Sequence, residues 1–329
     1  PARPQGRPAP KLKGNMTTHL TSQRRIPPWR RLLLAGGAGL LLAGCLTIPT
    51  EPRTVTADTD GRVQVHRTDC STHEPALQRA AASALGGDTV QLALWNIHKE
   101  DDPSWEADFA RVSAGADLLL LQEARDTDSL RRGLGDRRYR WTLNAAFQYQ
   151  GEDMGVLTAA GARAESWCSL RTAEPWLRIP KAALVTRYRL ANGELLSVVN
   201  VHGVNFALGT SEFRAQLEAL RERLARHDGP VIVAGDFNTW SEERQQIVAT
   251  MTRELGLTAV SYEQDKRSRF LGEPVDHVFY RGLRAEPAQV VTVGSSDHHA
   301  VRVTFRIDTA RLAAVPTEFA AGMTAEPGL

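Results

Sequence analysis

A chain of 329 residues with 42% hydrophobic and 24% charged side chains has the make-up of a globular protein, long enough for one large domain or two small ones. Its formal net charge of +2 is unevenly spread: eight basic groups and no acid lie in residues 1–44, so from Cys45 onward 32 basic groups face 38 acidic ones. A mildly acidic mature chain is not built for sequence-independent grip on nucleic acid, which depends on neutralising phosphates, although a local basic groove is compatible with it.

Arg24, Arg25, Arg30 and Arg31 precede an apolar run from Leu32 to Gly44. The run is too short for a bilayer-spanning helix of about 20 residues, and it ends in small residues. Leu42-Ala43-Gly44-Cys45 resembles a bacterial lipobox, in which the cysteine is acylated and becomes the mature N-terminus. The competing reading is a buried helix that contains a cysteine. The lipobox predicts a signal segment over 1–44 and an exported chain held on a bacterial membrane by an N-terminal lipid. Leu46 rather than Asp after the cysteine points to the outer membrane, facing the periplasm, in a Gram-negative cell. Cys70 and Cys168 are the other two cysteines, and export favours a disulfide between them over two buried thiols.

Residues 45–87, rich in Thr, Asp, Pro and Ala with little periodicity, read as a tether leading into a surface segment. Thereafter strands and helices alternate. Thr89–Ile97 and Ala116–Ala124 are apolar enough for buried strands, with a helix over Trp105–Ala114 between them. Tyr139–Phe147, Met154–Ala160 and Ser166–Leu170 predict shorter strands. Ala182–Leu190 and Glu194–His202 predict a hairpin around Asn192-Gly193. Phe213, Leu217, Leu220 and Leu224 mark one face of a helix. Asp228-Gly229-Pro230 breaks the chain before a strand at Val231–Ala234. A helix over Glu242–Leu255 follows, with Thr239 and Glu242 spaced as a capping box. Val275–Tyr280, Gln289–Val293 and Ala300–Ile307 complete one α/β domain over 88–307, leaving a C-terminal tail at 308–329.

Polar residues recur where the apolar strands end: Asn96, Gln122-Glu123, Asn200 with His202, Asp236 with Asn238, and Asp297-His298 before the last strand. Strand ends in α/β folds are where sites assemble, because a rigid strand aims the side chain and the loop leaves room for a ligand. Asp276 lies in an apolar strand and needs a partner if it faces inward. Singly, each has a bland reading: a strand's exit to solvent, a cap, a surface turn. Together they form a coherent set. The hard oxygen ligands Glu123 and Asp297, with Asn96 and Asp236 nearby, suit Mg²⁺ or Mn²⁺ rather than zinc. No Cys-x-x-Cys, His-Glu-x-x-His, Gly-x-x-x-x-Gly-Lys or Gly-x-Ser-x-Gly pattern points elsewhere.

Taken with the blocks Asn205-Phe206, Gly235-Asp236-Phe237-Asn238-Thr239-Trp240, Val278-Phe279-Tyr280-Arg281-Gly282 and Ser296-Asp297-His298, these segments resemble the endonuclease/exonuclease/phosphatase superfamily, and within it an uncharacterised bacterial branch. The resemblance spans roughly 88–307. It implies a two-sheet, four-layered α/β sandwich of the deoxyribonuclease-like type and metal-dependent hydrolysis of a phosphoester. It further implies Glu123 as the principal metal ligand and Asn96 as the amide beside metal and phosphate, with Asp297 a second acid near the metal. By the same resemblance, Asp236 is expected to align the attacking water with Asn238 as its partner on the phosphate, and Asp276 to orient His298, which contacts the phosphate. His202 stands where deoxyribonuclease-like and sphingomyelinase-like members carry histidine, and Asn205 where some relatives contact phosphate. His98 and His202 depart from the Asp and Tyr of abasic-site endonucleases, and His299-Ala300 replaces the proline common after Ser-Asp-His.

The substrate that the resemblance implies is a phosphodiester or phosphomonoester. A nuclease is slightly favoured by family frequency over a phospholipid or sugar-phosphate hydrolase, against the acidic mature charge. Lys266, Arg267 and Arg269 form one local basic cluster, read as a solvated loop. The alternative class, a lipid-anchored non-catalytic binding protein that keeps the fold, predicts missing metal or histidine residues, and none is missing. Nothing in the sequence points to a protein partner.

Overall fold

The computed structural model describes residues 46–67, 69–70, 83–175, 178–205 and 209–307. The signal segment, Cys45 and the C-terminal tail lie outside them. Two mixed sheets, one of ten strands and one of six, stack face to face with helices on both outer sides. This is the expected two-sheet sandwich.

Each sheet is organised around one parallel pair. In the larger, β3 (Thr89–Asn96) runs parallel to β4 (Leu118–Arg125), joined by helix α1 (Trp105–Val112). In the smaller, β9 (Leu195–His202) runs parallel to β10 (Val231–Asp236), joined by α3 (Ser211–Leu224). Parallel strands require such a crossover, and both faces of the pair are then covered, which is why these four strands read as near-continuous apolar runs. Alternation still sorts their side chains. Leu92, Leu94, Leu118 and Leu120 meet Leu196, Val198, Ile232 and Ala234 between the sheets. Ala93, Trp95, Leu119 and Leu121 pack outward on Trp105, Phe109 and Leu130.

Antiparallel strands complete each sheet. β5 (Arg140–Tyr149) and β6 (Glu152–Ala160) extend the larger one, and β12 (Ala300–Arg306) pairs with β3 on the other side. β7 (Ser166–Ala173), β8 (Pro180–Arg189) and β11 (Asp276–Arg281) belong to the smaller. The β8–β9 hairpin turns at Asn192-Gly193 as predicted, with Gly193 at φ 82°. Helix α2 (Asp128–Asp136), capped by the Thr127 hydroxyl, is an element the sequence reading did not contain.

Two expectations need correction. The segment read as a tether contributes strands to the larger sheet in its described part. β1 (Thr54–Ala57) pairs with β5 and β2 (Val63–His66) pairs with β1, while Leu46–Thr47 pairs with the far end of β5. Both strands are only four residues long; β1 is paired on both sides and almost wholly buried while β2 is the exposed edge, so neither shows an alternating pattern within the Thr- and Asp-rich segment. The cap of α4 (Glu242–Glu254) is Ser241, not Thr239, and its hydroxyl accepts from Arg244 N at 3.5 Å. Thr239 is otherwise engaged: its hydroxyl donates to Pro274 O at 2.7 Å and lies 2.6 Å from His277 Nε2. Among the described residues no helix is long and apolar enough to cross a membrane.

Cys70 and Cys168 form a disulfide with Cα atoms 4.8 Å apart, closing a loop with a sequence separation of 98 residues. A bridge over so long a loop restricts the unfolded chain strongly. Reducing it, or making Cys70→Ser, is expected to cost about 2–5 kcal/mol of stability. Thermal unfolding with and without reductant checks this; an unchanged midpoint would contradict it.

Candidate active site

The C-terminal ends of both parallel pairs point to the same edge of the sandwich. β3 and β4 deliver Asn96 and Glu123 from one sheet; β9 and β10 deliver His202 and Asp236 from the other. A buried amide network beneath them sets the spacing. Gln122 Nε2 donates to Asn200 Oδ1 at 2.6 Å across the sheets, and Asn200 Nδ2 donates to the carbonyls of Leu121 and Leu157. Above it, Asn96 Nδ2 donates to Asp236 Oδ2 at 3.2 Å.

Local backbone irregularities aim the functional groups. The β4–β6 register slips between Leu121 and Ala124, and Glu123 sits in that bulge at φ 54°. A bulge of this kind re-aims a side chain out of the strand's alternation. Gly235 precedes Asp236 because β9 passes very close: a Cβ there would lie 1.9 Å from Val201 O. His98, Lys99 and Glu100 all have positive φ, at 47°, 62° and 60°. Such a run costs roughly 1–2 kcal/mol per residue and persists only where contacts hold it. Here His98 N donates to Asn96 Oδ1, while the Glu100 carboxylate accepts from Thr127 Oγ1 at 2.6 Å and from Arg125 N at 3.3 Å. Burial pushes the Glu100 carboxyl up to about 7. The turn carries Lys99 over the site, its Nζ 2.7 Å from Glu123 Oε2.

Electrostatics divide the two histidines. Burial opposes a charge on His298, but the carboxylates of Asp276 and Asp236 outweigh it and push its pKa up to about 10. His298 Nδ1 donates to Asp276 Oδ2 at 2.8 Å, and Nε2 stands 3.8 Å from Asp236 Oδ2. It is therefore an imidazolium at neutral pH. His202 is buried and held down to about 4, by desolvation first and by the Lys181 ammonium second. Lys181 Nζ lies 2.8 Å from His202 Nε2. An ammonium only donates, so Nε2 is the acceptor and the ring proton resides on Nδ1. Burial also opposes ionisation of Glu123, yet nearby positive charge brings its pKa down to about 2. His202 contributes most to that charge when protonated, followed by Lys181 and Lys99.

Loop contacts brace this constellation. Asn238 N donates to Asp236 Oδ1 at 3.0 Å and Asn238 Nδ2 to Gly203 O at 3.0 Å. Gln216 of α3 accepts from Val204 N and donates to His202 O. The buried Arg244 lies between the Phe213 and Trp240 rings and donates to the carbonyls of Val204, Asn205 and Asn238.

Seven of the nine residues named from sequence thus converge: Asn96, Glu123, His202, Asp236, Asn238, Asp276 and His298. The other two stand apart. Asp297 is on the rim, its side chain 68% exposed and 3.9 Å from His98 Nδ1. Asn205 accepts from the Trp240 indole at 2.9 Å, so its amide oxygen braces the loop. The basic cluster is less solvated than its sequence implies: Arg267 stacks over Tyr262 and donates to Asp276 O. Lys99 and Lys181 were missed. Neither belongs to a polar cluster at a strand end; Lys99 depends on the left-handed turn, and Lys181 is an isolated cation opening an apolar strand.

The sequence matches the endonuclease/exonuclease/phosphatase family over residues 93–298. This chain belongs to that family. A curated relative, a UPF0294 protein of Vibrio cholerae, is 40% identical over 284 residues, which cover 85% of this chain and 98% of the relative. A UPF0294 protein of Yersinia enterocolitica is 40% identical over 217 residues, 66% of this chain and 84% of the relative. Among solved structures, a family member from Bacteroides vulgatus superposes with a TM-score of 0.54 at 16% identity, covering 67% of this chain and 99% of the other. The human Nocturnin catalytic domain, solved with bound sulfate, gives 0.52 at 18% identity, covering 71% and 98%. At that identity the likeness is one of fold. The family's fold is that of phosphoester hydrolases, and its enzymes typically use divalent metal ions.

The residues present fit such an ion. Glu123 Oε2 is buried without a well-directed hydrogen bond, its sole ion-pair partner among the described residues the movable Lys99. Asn96 Oδ1 on the adjacent strand offers a second oxygen. The triad Asp236, Asp276 and His298 also groups three potential ligand atoms within 4.8 Å. There, however, His298 is protonated and its Nδ1 is committed to Asp276, so the triad does not offer three lone pairs.

The raised pKa of His298 is directly testable by NMR. In the native enzyme the ring is expected to stay protonated through neutral pH and titrate near 10. Because the folded value lies above the unfolded 6.5, its stabilising contribution is complete below about 6.5 and disappears as pH rises through about 10. Asp276→Asn should bring the titration down; a native midpoint near 6.5 would contradict the assignment.

Proposed function

We propose that the chain is an exported, metal-dependent phosphoesterase. The observation that carries this reading is the pairing of an ionised, buried Glu123 with a protonated His298 on the two sides of Asp236. One side suits a hard cation and the other a phosphoryl oxygen. Glu123 and Asn96 would hold the metal, Mg²⁺ or Mn²⁺ by their oxygen chemistry, and the metal supplies charge neutralisation and polarisation of the phosphoryl group.

The remaining steps belong to side chains. His298 donates from Nε2 to a phosphoryl oxygen while Asp276 fixes its ring and charge. Asp236, held by Asn96 and by Asn238 N, orients a water and receives its proton. The water oxygen forms the new P–O bond; the ester P–O bond breaks, and the leaving oxygen departs with the electron pair and takes up a proton. Burial first and Lys181 second keep His202 neutral, so the ring adds no positive charge beside Lys99 and Lys181. Export and an acyl group on Cys45 are part of the same proposal, supported by the basic-apolar-small order of residues 24–45.

Glu123→Gln keeps the shape of the site and removes its charge. Turnover of bis(4-nitrophenyl) phosphate at limiting Mg²⁺ should fall by about a hundredfold or more, with partial recovery at high Mg²⁺. Undiminished turnover by this variant, or full wild-type activity in EDTA, would contradict the metal assignment.

A further inference from the structure

The left-handed turn at His98–Glu100 is fixed along its backbone and free at one side chain. His98 N donates to Asn96 Oδ1 at 3.1 Å, the Glu100 carboxylate accepts from Thr127 Oγ1 and Arg125 N, and the Arg125 guanidinium reaches Lys99 O at 3.4 Å. Arg125 is itself held, its Nε donating to Glu152 Oε2 at 3.0 Å and its guanidinium 5.4 Å over the Tyr149 ring. Three successive residues at positive φ would relax without such ties. The Lys99 ammonium, by contrast, is tied among the described residues at one point, Glu123 Oε2 at 2.7 Å, and its side chain is 35% exposed.

Both oxygens that fit a metal ion carry a group of this turn. Asn96 Oδ1 gives one lone pair to His98 N and has a second to offer, so the backbone keeps its anchor when a cation is bound. On Glu123 Oε2, which is buried, the case differs. Two positive charges on one carboxylate oxygen repel each other, and the more strongly away from bulk water. The Lys99 ammonium and a divalent ion are therefore alternatives at that atom. Lys181 is no substitute for either, since its ammonium is engaged with His202 Nε2 at 2.8 Å.

An ammonium that leaves Glu123 stays at the site. Lys99, Glu123, Lys181 and His202 line one cleft of about 190 Å³. His202 Nε2 stands 3.9 Å from Glu123 Oε1 and 3.6 Å from Asp236 Oδ2, so a single ring separates Glu123 from Asp236. The flexible four-carbon stem of a lysine covers such a span, and its ammonium offers three donors to an anion.

We infer that Lys99 serves first as a placeholder cation and then as a catalytic residue: its ammonium occupies Glu123 until a divalent ion is bound there, and then passes to a phosphoryl oxygen of the substrate. The step is an exchange of ion pairs. No covalent bond forms or breaks, and Lys99 keeps its proton throughout. The inference rests on the reading of Glu123 as the metal ligand. It gives the strained turn a purpose, because a fixed backbone sets the lysine stem where both partners lie within its sweep. The buried carboxylate is never without a countercharge, and Lys99 turns to the phosphate only once the site is loaded.

The test uses the full chain with Mn²⁺, whose free concentration is read by electron paramagnetic resonance; loss of the tight site in Glu123→Gln identifies it. Lys99→Met and Lys99→Gln should each bind Mn²⁺ at least about fivefold more tightly than the wild type, because a competing charge is gone. Their kcat on bis(4-nitrophenyl) phosphate at saturating Mn²⁺ should nevertheless fall at least about tenfold. A lysine that merely supported the site would lower metal affinity and turnover together, so the opposite signs are the mark of the placeholder. In protein labelled with ¹⁵N-lysine, the Lys99 ammonium signal, identified by its absence from Lys99→Met, should move when Mg²⁺ is added. Unchanged or weaker Mn²⁺ binding in both variants, with thermal melts showing them folded, would overturn the placeholder role. An undiminished kcat at saturating Mn²⁺ would overturn the transfer to phosphate. Either result leaves the phosphoesterase reading standing. Failure of the wild type to bind Mn²⁺ would instead remove the metal assignment at Glu123, and this inference with it.

Discussion

A small amide network, Gln122 Nε2 to Asn200 Oδ1 and Asn200 Nδ2 to the Leu121 and Leu157 carbonyls, joins the two sheets directly beneath the site. Everything catalytic depends on that junction, because neither sheet holds a complete set of groups. The larger sheet brings Asn96 and Glu123; the smaller brings His202, Asp236 and Asp276. Leucine and valine pack the sheets together lower down, but apolar contacts do not fix a relative height as a buried, directional bond does. A sliding of the sheets by one pleat would part Asn96 from Asp236 and leave buried amides unpaired, which is costly enough to be excluded.

On this platform charge is arranged in opposition. Glu123 is kept ionised by the positive charge around it, His298 is kept protonated by Asp276 and Asp236, and His202 between them is kept neutral by burial and Lys181. Asp236 touches both halves. Such displaced values in one cleft are a mark of function, since each would cost stability if nothing used it. The strained turn at His98–Glu100 belongs to the same economy of position: three left-handed residues are tolerated in order to set Lys99 against Glu123.

Much of this was visible in the sequence, for a definite reason. Apolar strands that stop at Asn96, Glu123, His202 and Asp236 announce their ends by a change of polarity, and the site is made of those ends. Asp276 was visible because an acid in an apolar strand requires a partner, and His298 proved to be that partner. Lys99 and Lys181 were hidden because a lysine near a strand end looks like any solvated cation. The strands at 54–57 and 63–66 were hidden because each is four residues long, the first buried at almost every position and the second exposed at almost every one, so neither writes an alternating pattern. Asp297 and Asn205 share their motifs with residues that converge on the cleft but turn outward or toward Trp240, a distinction that resides in backbone direction and not in residue type.

The central claim is that Asp276 and His298 act as one unit on the phosphate. A double-mutant cycle on phosphoester turnover tests it most directly, with folding of each variant verified by thermal melts. His298→Ala should lower kcat by several orders of magnitude and Asp276→Asn by somewhat less, and the double variant should be little worse than His298→Ala alone. Strictly multiplicative losses in folded variants would show that the two residues do not share one catalytic role.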